Sequence, residues 1–273
     1  MSIVELTQAL IEDEHGIWAS DSREPVSYPA DGHSRCLQVE DRSFWFKHRN
    51  ECIVAAIERH PPSGCILDVG GGNGFVARRI LDAGFDCAVL EPGVEGALNA
   101  KRAREIPVVI RSTLENARFE PGTLASIGLF DVIEHVEEDR SMANSIGDLL
   151  RTGGLVYCTV PIYPLLWSKH DVKAGHFRRY RREELEALFS DRFELLYFSY
   201  LFSALVAPMF LFKALPFRLF GSRGKLSTQQ EHATGGGPTA SLLGALLRRE
   251  ALRIRRGLQT SMGTSALIVA RKL

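Results

Sequence analysis

Between residues 65 and 75 the chain reads CILDVGGGNGF, in which Asp68, Gly70, Gly72 and Gly74 alternate in a DxGxGxG spacing. A glycine cluster between a strand-like run and a helical one lets a ligand approach the backbone, because no Cβ stands in the way. Phosphate-cradling readings lose support. The dinucleotide spacing GxGxxG, counted from Gly70, would need its third glycine where Phe75 stands, and no GKS/T follows as a P-loop requires. Glu91 closes the next apolar run, CAVLEP, where ribose hydroxyls find a carboxylate acceptor. Further on, His135 in DVIEHV, and Tyr163, His170 and His176 in YPLLWSKHDVKAGHFRRY, are candidates to take a proton from a hydroxyl, a task that suits a histidine near neutral pKa.

Such residues need a scaffold of alternating strands and helices. In FWFKHRNECIVAAIERH, Ile53, Val54, Ala56 and Ile57 recur at helical spacing, and Pro61-Pro62 ends that helix. CILDV, CAVLEP and PVVIRS then read as strands, separated by the helices FVARRILDAG and VEGALNAKRARE. LASIGLFDVIEHV is a fourth strand running into a turn, EDRSMANSIGDLLRTGG a helix closed by Gly153-Gly154, and LVYCTVP a fifth strand. The helix RREELEALFSD, a sixth strand RFELLYFSY and a final strand TSALIVARK complete the pattern. This alternation argues for a parallel sheet covered on both faces. The polar stretch ASDSREPVSYPADGHS reads as irregular, with organised structure expected from near Glu40. The expected division is an extension and lid helix over 1–60, then one domain over 61–273 carrying a helical insertion at about 200–262.

Four segments in order, ILDVGGGNG, VLEPG, FDVIEHV and LLRTGGLVYCTVP, make the chain resemble the class I S-adenosylmethionine-dependent methyltransferases. Within them it is most similar to the bacterial type-11, UbiG-like small-molecule group. The resemblance covers roughly residues 40–200 and the last strand. It implies an α/β, Rossmann-like, doubly wound and mostly parallel seven-stranded sheet, with an N-terminal helical lid and a helical insertion before the last strand. It also implies S-adenosylmethionine as cofactor, a molecule with a sulfonium, an amino-acid tail and no phosphate, which suits a glycine loop flanked by acids. Asp68 would accept hydrogen bonds from the cofactor amine, while Gly70 and Gly72, beside Asn73, would let the backbone pass close to the tail and ribose. By resemblance, Glu91 takes the ribose diol with Pro92 next to it, Thr113 and Leu114 edge the adenine, and Asp131 closes over the methionyl part. Arg49, in SFWFKHRN, falls where similar enzymes place a lid, and its planar fork suits the cofactor carboxylate; a surface arginine beside Phe44, Trp45 and Phe46 is the plain alternative.

Methyl transfer is an in-line displacement, so positioning and exclusion of water carry much of it. A hydroxyl acceptor would still need a base, for which His135, His170 and Tyr163 are the choices, although RRYRREE equally reads as the start of a solvated helix. In UbiG-like enzymes Asp131, Glu134 and His135 would stand at the spacing of a carboxylate–histidine divalent site. Neighbours on one turn rarely all face one ion, and no fourth ligand is evident, so no metal is expected.

Of 273 residues, 45% are hydrophobic and 24% charged, which excludes a disordered or collagen-like chain and allows one large domain or two small ones. The 33 basic and 33 acidic side chains cancel, yet residues 1–172 hold 16 basic and 26 acidic ones, and residues 173–273 hold 17 and 7. Cys36, Cys52, Cys65, Cys87 and Cys158 form no CxxC pair, and the acidic N-terminus lacks a secretory pattern, so a reducing, cytoplasmic location is expected. Leu195 to Phe212 runs without a charge at the lower edge of a membrane span, but Pro208 interrupts it, favouring a strand plus a buried or interfacial helix. In SLLGALLRREALRIRRG, Leu242, Leu243, Leu246 and Leu247 are expected to oppose Arg248, Arg249, Arg253, Arg255 and Arg256. Such an arm would cover a lipid-linked acceptor, touch an anionic bilayer peripherally or form a homodimer interface. The expected function is methylation, at oxygen, of a small or lipid- or glycan-linked acceptor. A cofactor-binding scaffold and a nucleic-acid methyltransferase are the rivals; the basic C-terminal third motivates the second, but no NPPY-like motif supports it and no nucleic-acid partner is expected.

Overall fold

The computed structural model describes residues 3–20, 32–221 and 238–273. The chain begins with two short strands, β1 (Ile11–Glu12) and β2 (Trp18–Ala19), then α1 (Gly32–Glu40) and α2 (Phe44–Arg59). Ser43 caps α2 by accepting from the Phe46 amide, and an unbroken buried run from Cys52 to Ile57 holds the helix in the core. The alternating unit follows: β3 (Ile66–Val69), α3 (Phe75–Asp82), β4 (Cys87–Leu90), α4 (Val94–Arg102), β5 (Val108–Arg111), β6 (Leu124–Phe130), α5 (Asp139–Leu149) and β7 (Leu150–Pro161). Every residue of β3 and β4 is buried, as a parallel sheet covered on both faces demands. After α6 (Lys169–Ala174), α7 (Arg182–Phe189) and β8 (Phe193–Leu201) come the short helices α8 (Val206–Met209) and α9 (Leu215–Phe220), joined through a π-turn. The long α10 (Pro238–Arg255) then leads to β9 (Ser265–Lys272).

One sheet results, in the order β1-β2-β5-β4-β3-β6-β7-β9-β8, in which the six strands from β2 to β7 in that order are mutually parallel, β1 is antiparallel to β2, and β9 is antiparallel to both β7 and β8. Strand order runs outward from β3 in both directions. The carboxyl ends of β3, β4 and β6 therefore meet at the switch point, where open α/β sheets bind ligands.

The Rossmann-like class holds, but the sheet has nine strands rather than seven. The addition comes from the N-terminal segment, where Asp13 Oδ1 accepts from the His15 and Ile17 amides and Gly16 takes φ +70°, making a tight turn that lays β2 along β5. Structure thus starts well before Glu40, and α1 was not expected at all. The helix before β7 also ends sooner than expected: Leu150 already pairs with Leu124, and Gly153 lies within the strand's bend rather than closing the helix. The uncharged run from Leu195 divides into β8 and short helical turns, and among the described residues no helix is long and apolar enough to cross a membrane. Most of the loop SRGKLSTQQEHATGGGPT lies outside the described residues.

Candidate active site

The chain leaves β3 through a turn in which the Gly70 amide donates to Leu90 O at 2.7 Å and the Gly74 amide to Gly71 O at 2.9 Å. Gly72 adopts φ +53°, open to glycine, and a Cβ on Gly71 would come within 2.9 Å of Asp68 Oδ2. Asp68 is only 1% exposed, and its Oδ2 has no hydrogen-bond partner among the described residues. Burial pushes its pKa up to about 7, against the nearby Arg49 and with help from Glu91. Glu91, at the end of β4, accepts from the Gly72 amide at 2.9 Å and from the Gly93 amide at 2.7 Å, so both its oxygens are fixed at the rim of the loop. Pro92, half-buried, follows it.

On the other side of the loop Arg49 reaches from α2 to Asp131, which stands past β6 at φ +58°; Asp131 Oδ1 also accepts from the Thr159 hydroxyl at 3.0 Å. Arg49 is buried, so the surface-arginine alternative is excluded, and its Nε has no partner among the described residues. An unpaired buried acceptor on Asp68 and an unpaired buried donor on Arg49 thus flank one glycine loop. They fit the ammonium and carboxylate of an amino-acid tail, and Glu91 fits a ribose diol, which together are the polar ends of S-adenosylmethionine.

Other expected residues are placed differently. The Asn73 amide is committed to structure: Nδ2 donates to His33 O at 2.9 Å and Glu40 Oε1 at 3.1 Å, and Oδ1 accepts from Asn99 at 3.0 Å. Thr113 begins the turn after β5 and accepts from the Asn116 amide, while the Leu114 side chain packs in the core. Reading the sequence missed α1, which lays His33 Nε2 3.5 Å from Glu91 Oε1. Burial works against a charge on His33, but Glu91, Glu95 and Glu40 outweigh it and raise its pKa. The only sequence signal for α1 is the Asp31-Gly32-His33-Ser34 start, which reads as loop.

Beyond β6 and β7 a histidine group forms. His176 Nδ1 lies 3.0 Å from Asp171 Oδ1, and the rings of His135 and His176 meet edge to face at 4.7 Å. Burial alone would raise the Asp171 pKa, yet the His176 hydrogen bond and the Arg179 guanidinium at 2.7 Å hold it well below the carboxylate range. His135 is pushed down to about 4, first by burial and then by His176, so its ring is neutral near pH 7. His170 is exposed at the start of α6, and Tyr163, at φ +60°, stacks on Tyr200 at 5.6 Å. Arg179 and Tyr180 are buried, the tyrosine hydroxyl donating to Asp139 at 2.9 Å. RRYRREE is thus divided: Arg179 and Tyr180 form a buried clamp, while Arg182, Glu183 and Glu184 open α7 as a helix whose charges face outward.

Among the described residues, two clusters bring three potential metal ligands within 4.8 Å of one another: Glu134, His135 and His176, and separately His48, Cys52 and Glu250. In the second, hydrogen bonds account for the grouping, since Glu250 accepts from His48 at 2.7 Å and from the Phe202 and Ser203 amides. In the first, burial drives the Glu134 carboxyl well above its ordinary range, with Asp131 adding to it, which favours the protonated acid over a ligand.

A family model described as a methyltransferase domain matches residues 41–194. An uncharacterized methyltransferase of Mycobacterium sp. (strain JLS) is 25% identical over 45% of this chain and 49% of its own length. A ubiquinone biosynthesis O-methyltransferase of Pectobacterium carotovorum is 28% identical over 34% of this chain and 41% of its own. The chain spans about half or less of the curated relatives it matches. Among solved structures, a SAM-dependent methyltransferase of Thermotoga maritima superposes with a TM-score of 0.56 at 16% identity, over 91% of this chain and 100% of that one. A geranyl diphosphate methyltransferase in complex with SAM gives a TM-score of 0.52 at 19% identity, over 90% and 92%. These superpositions share the fold built above, and the match of the family model over more than half of the chain makes this protein a member of the methyltransferase-domain family.

Proposed function

We propose that the protein methylates an oxygen on a small acceptor, free or carried on a lipid or glycan. One observation carries the cofactor half: Asp68 Oδ2 and Arg49 Nε are both buried without a partner among the described residues, beside a glycine loop whose Gly72 amide is held by Glu91. When bound, S-adenosylmethionine supplies the methyl group on its sulfonium. Arg49 and Asp131 would hold the tail side and Glu91 the ribose side. Pro92 and Thr113 stand toward the adenosine end.

For the acceptor half, the neutral His135 ring beside the Asp171-oriented His176 supports a base that takes the hydroxyl proton as the oxygen is methylated. Tyr163 and His170 sit on the same acceptor loop and serve positioning. The five free cysteines support a reducing, cytoplasmic setting.

Calorimetry tests the reading: micromolar binding of S-adenosylmethionine and of its demethylated product is expected, and no binding of either at millimolar concentration overturns it. Gly72→Trp should abolish that binding while the protein stays folded, because its φ of +53° and the close ligand approach exclude a large side chain. The rival reading of nucleic-acid methylation predicts a tight, salt-sensitive RNA or DNA complex in a mobility-shift experiment.

A further inference from the structure

The expected opposition of leucine and arginine on α10 holds for Leu243 and Leu247 but not for Leu242 and Leu246. Leu243, Leu247, Ala251 and Ile254 turn toward the core at helical spacing, and Leu242, Leu246, Arg249, Arg253 and Arg256 line the outward face together. A groove of about 680 Å³ follows this outward stripe, lined by Leu246, Arg249, Arg253, Arg256, Leu258 and Met262. Among the described residues no acidic group pairs with Arg249 or Arg256, and Arg253 donates to the Gln259 carbonyl at 2.7 Å, which leaves its charge uncompensated. Large apolar side chains on this stripe and in the groove stand in water: Leu242 is 62%, Met262 52%, Leu258 47% and Leu246 41% exposed. This many exposed apolar groups beside unpaired arginines is costly in a surface facing only water.

The groove lies at the catalytic edge of the sheet. Its wall, residues 258–262, runs directly into β9, whose first residue pairs with Pro161 at the carboxyl end of β7. The Thr264 amide donates to Leu201 O at 2.8 Å and its carbonyl accepts from Ile162 at 3.0 Å, next to Tyr163 of the acceptor loop.

We propose that this face docks on the surface of an anionic lipid bilayer, with Arg249, Arg253 and Arg256 against headgroup phosphates and Leu242, Leu246 and Met262 entering the interface. In what it means for the acceptor, the proposal rests on the methyl-transfer reading, because a bilayer at that edge brings a lipid-linked acceptor to the cleft. Charge decides against a second copy of the chain, since a two-fold contact through this face would set its arginine stripes against each other. Nucleic acid would match the arginines but leave the leucines and Met262 without apolar partners.

The test is flotation of the full chain with vesicles of phosphatidylcholine containing about 30% phosphatidylglycerol, and with phosphatidylcholine alone. Binding to the anionic vesicles only, weakened by salt, is expected. R249Q/R253Q/R256Q and, separately, L242S/L246S/M262S should each lower the bound fraction by more than about tenfold with unchanged melting temperature and cofactor affinity. Absence of flotation, equal binding to neutral vesicles, or variants that float like the unaltered protein overturns the proposal. So does a dimer in solution that L242S/L246S/M262S splits, which would give the face to a second copy. The experiment needs neither cofactor nor acceptor, so its failure leaves methyl transfer standing, and a failure to bind S-adenosylmethionine leaves the docking result standing.

Discussion

Arg49 and Asp131 form a buried ion pair that ties α2, which precedes the sheet, to the carboxyl end of β6 at its switch point. Because Arg49 Nε remains unpaired behind that contact, the guanidinium can engage a second anion without surrendering the first. Arg49→Lys keeps the charge and loses the fork. It should weaken S-adenosylmethionine binding roughly tenfold to a hundredfold by calorimetry, with Arg49→Ala at least as severe. Equal affinity in both variants would remove Arg49 from the site.

Asp68 gives the cofactor affinity a pH dependence. Its folded pKa, near 7, lies above the ordinary carboxylate value because the group is buried, so the carboxyl is neutral below about pH 7 and ionised above it. A cationic amine favours the ionised form, so affinity should rise as pH increases through about 7, with proton release below that point. Calorimetry in buffers of different ionisation enthalpy measures both. For folding the sign is opposite: the native state holds the proton more tightly than the unfolded chain, so stability is lost as pH rises from about 4 through about 7. Asp68→Asn should flatten that loss and abolish the pH dependence of binding.

The glycine loop, Glu91 and the order of strands were legible because each rests on local pattern: a glycine at positive φ, an acid closing an apolar run, alternation of strand and helix. Arg49 and Asp131 were legible separately but not as a pair, since 82 positions separate them and only the sheet brings them together. Asn73 was readable as a loop residue, but its bonds to α1 and α4 depend on a helix whose sequence gives no periodic signal. The nine-stranded edge was missed although Asp13 and Gly16 announce the turn; a two-residue strand carries too little alternation to be seen. The outward pairing of leucine with arginine on α10 follows from 3.6-residue geometry once the buried face is known, and that face is set by tertiary contacts with α2 and β8.

The histidine group should show in ring NMR. His135 is held down first by burial and second by His176, so His176→Ala removes the second influence and should raise the His135 pKa from about 4 part of the way toward the ordinary value. A titration unchanged by that substitution would show that the two rings are not coupled. Given a hydroxyl acceptor, His176→Ala should lower kcat about 100-fold or more, and His170→Ala should not.

Glu250 anchors the turn after β8. It accepts from His48 and from the Phe202 and Ser203 amides, so Glu250→Ala strands three donors in the interior and should cost roughly 2–4 kcal/mol in denaturant unfolding. Burial would raise its pKa, but these hydrogen bonds prevail and lower it. Its stabilisation is therefore present above the ordinary glutamate range and lost as pH falls through the lower folded value, a loss that Glu250→Gln should remove.

The ties between α1 and the glycine loop have a bearing on how the protein can be observed. Asn73 holds the His33 carbonyl and Glu40, and His33 rests beside Glu91, so the segment Gly32–Glu40 and the loop move as one body. Cys36 sits half-buried on that segment; Cys65, before β3, is also half-buried and is replaced by serine for labelling, whereas Cys52, Cys87 and Cys158 are sealed in the core. The chain thus carries its own reporter: the rate at which a thiol reagent labels Cys36 is a clock for the opening of the cleft, readable without knowing what the enzyme modifies.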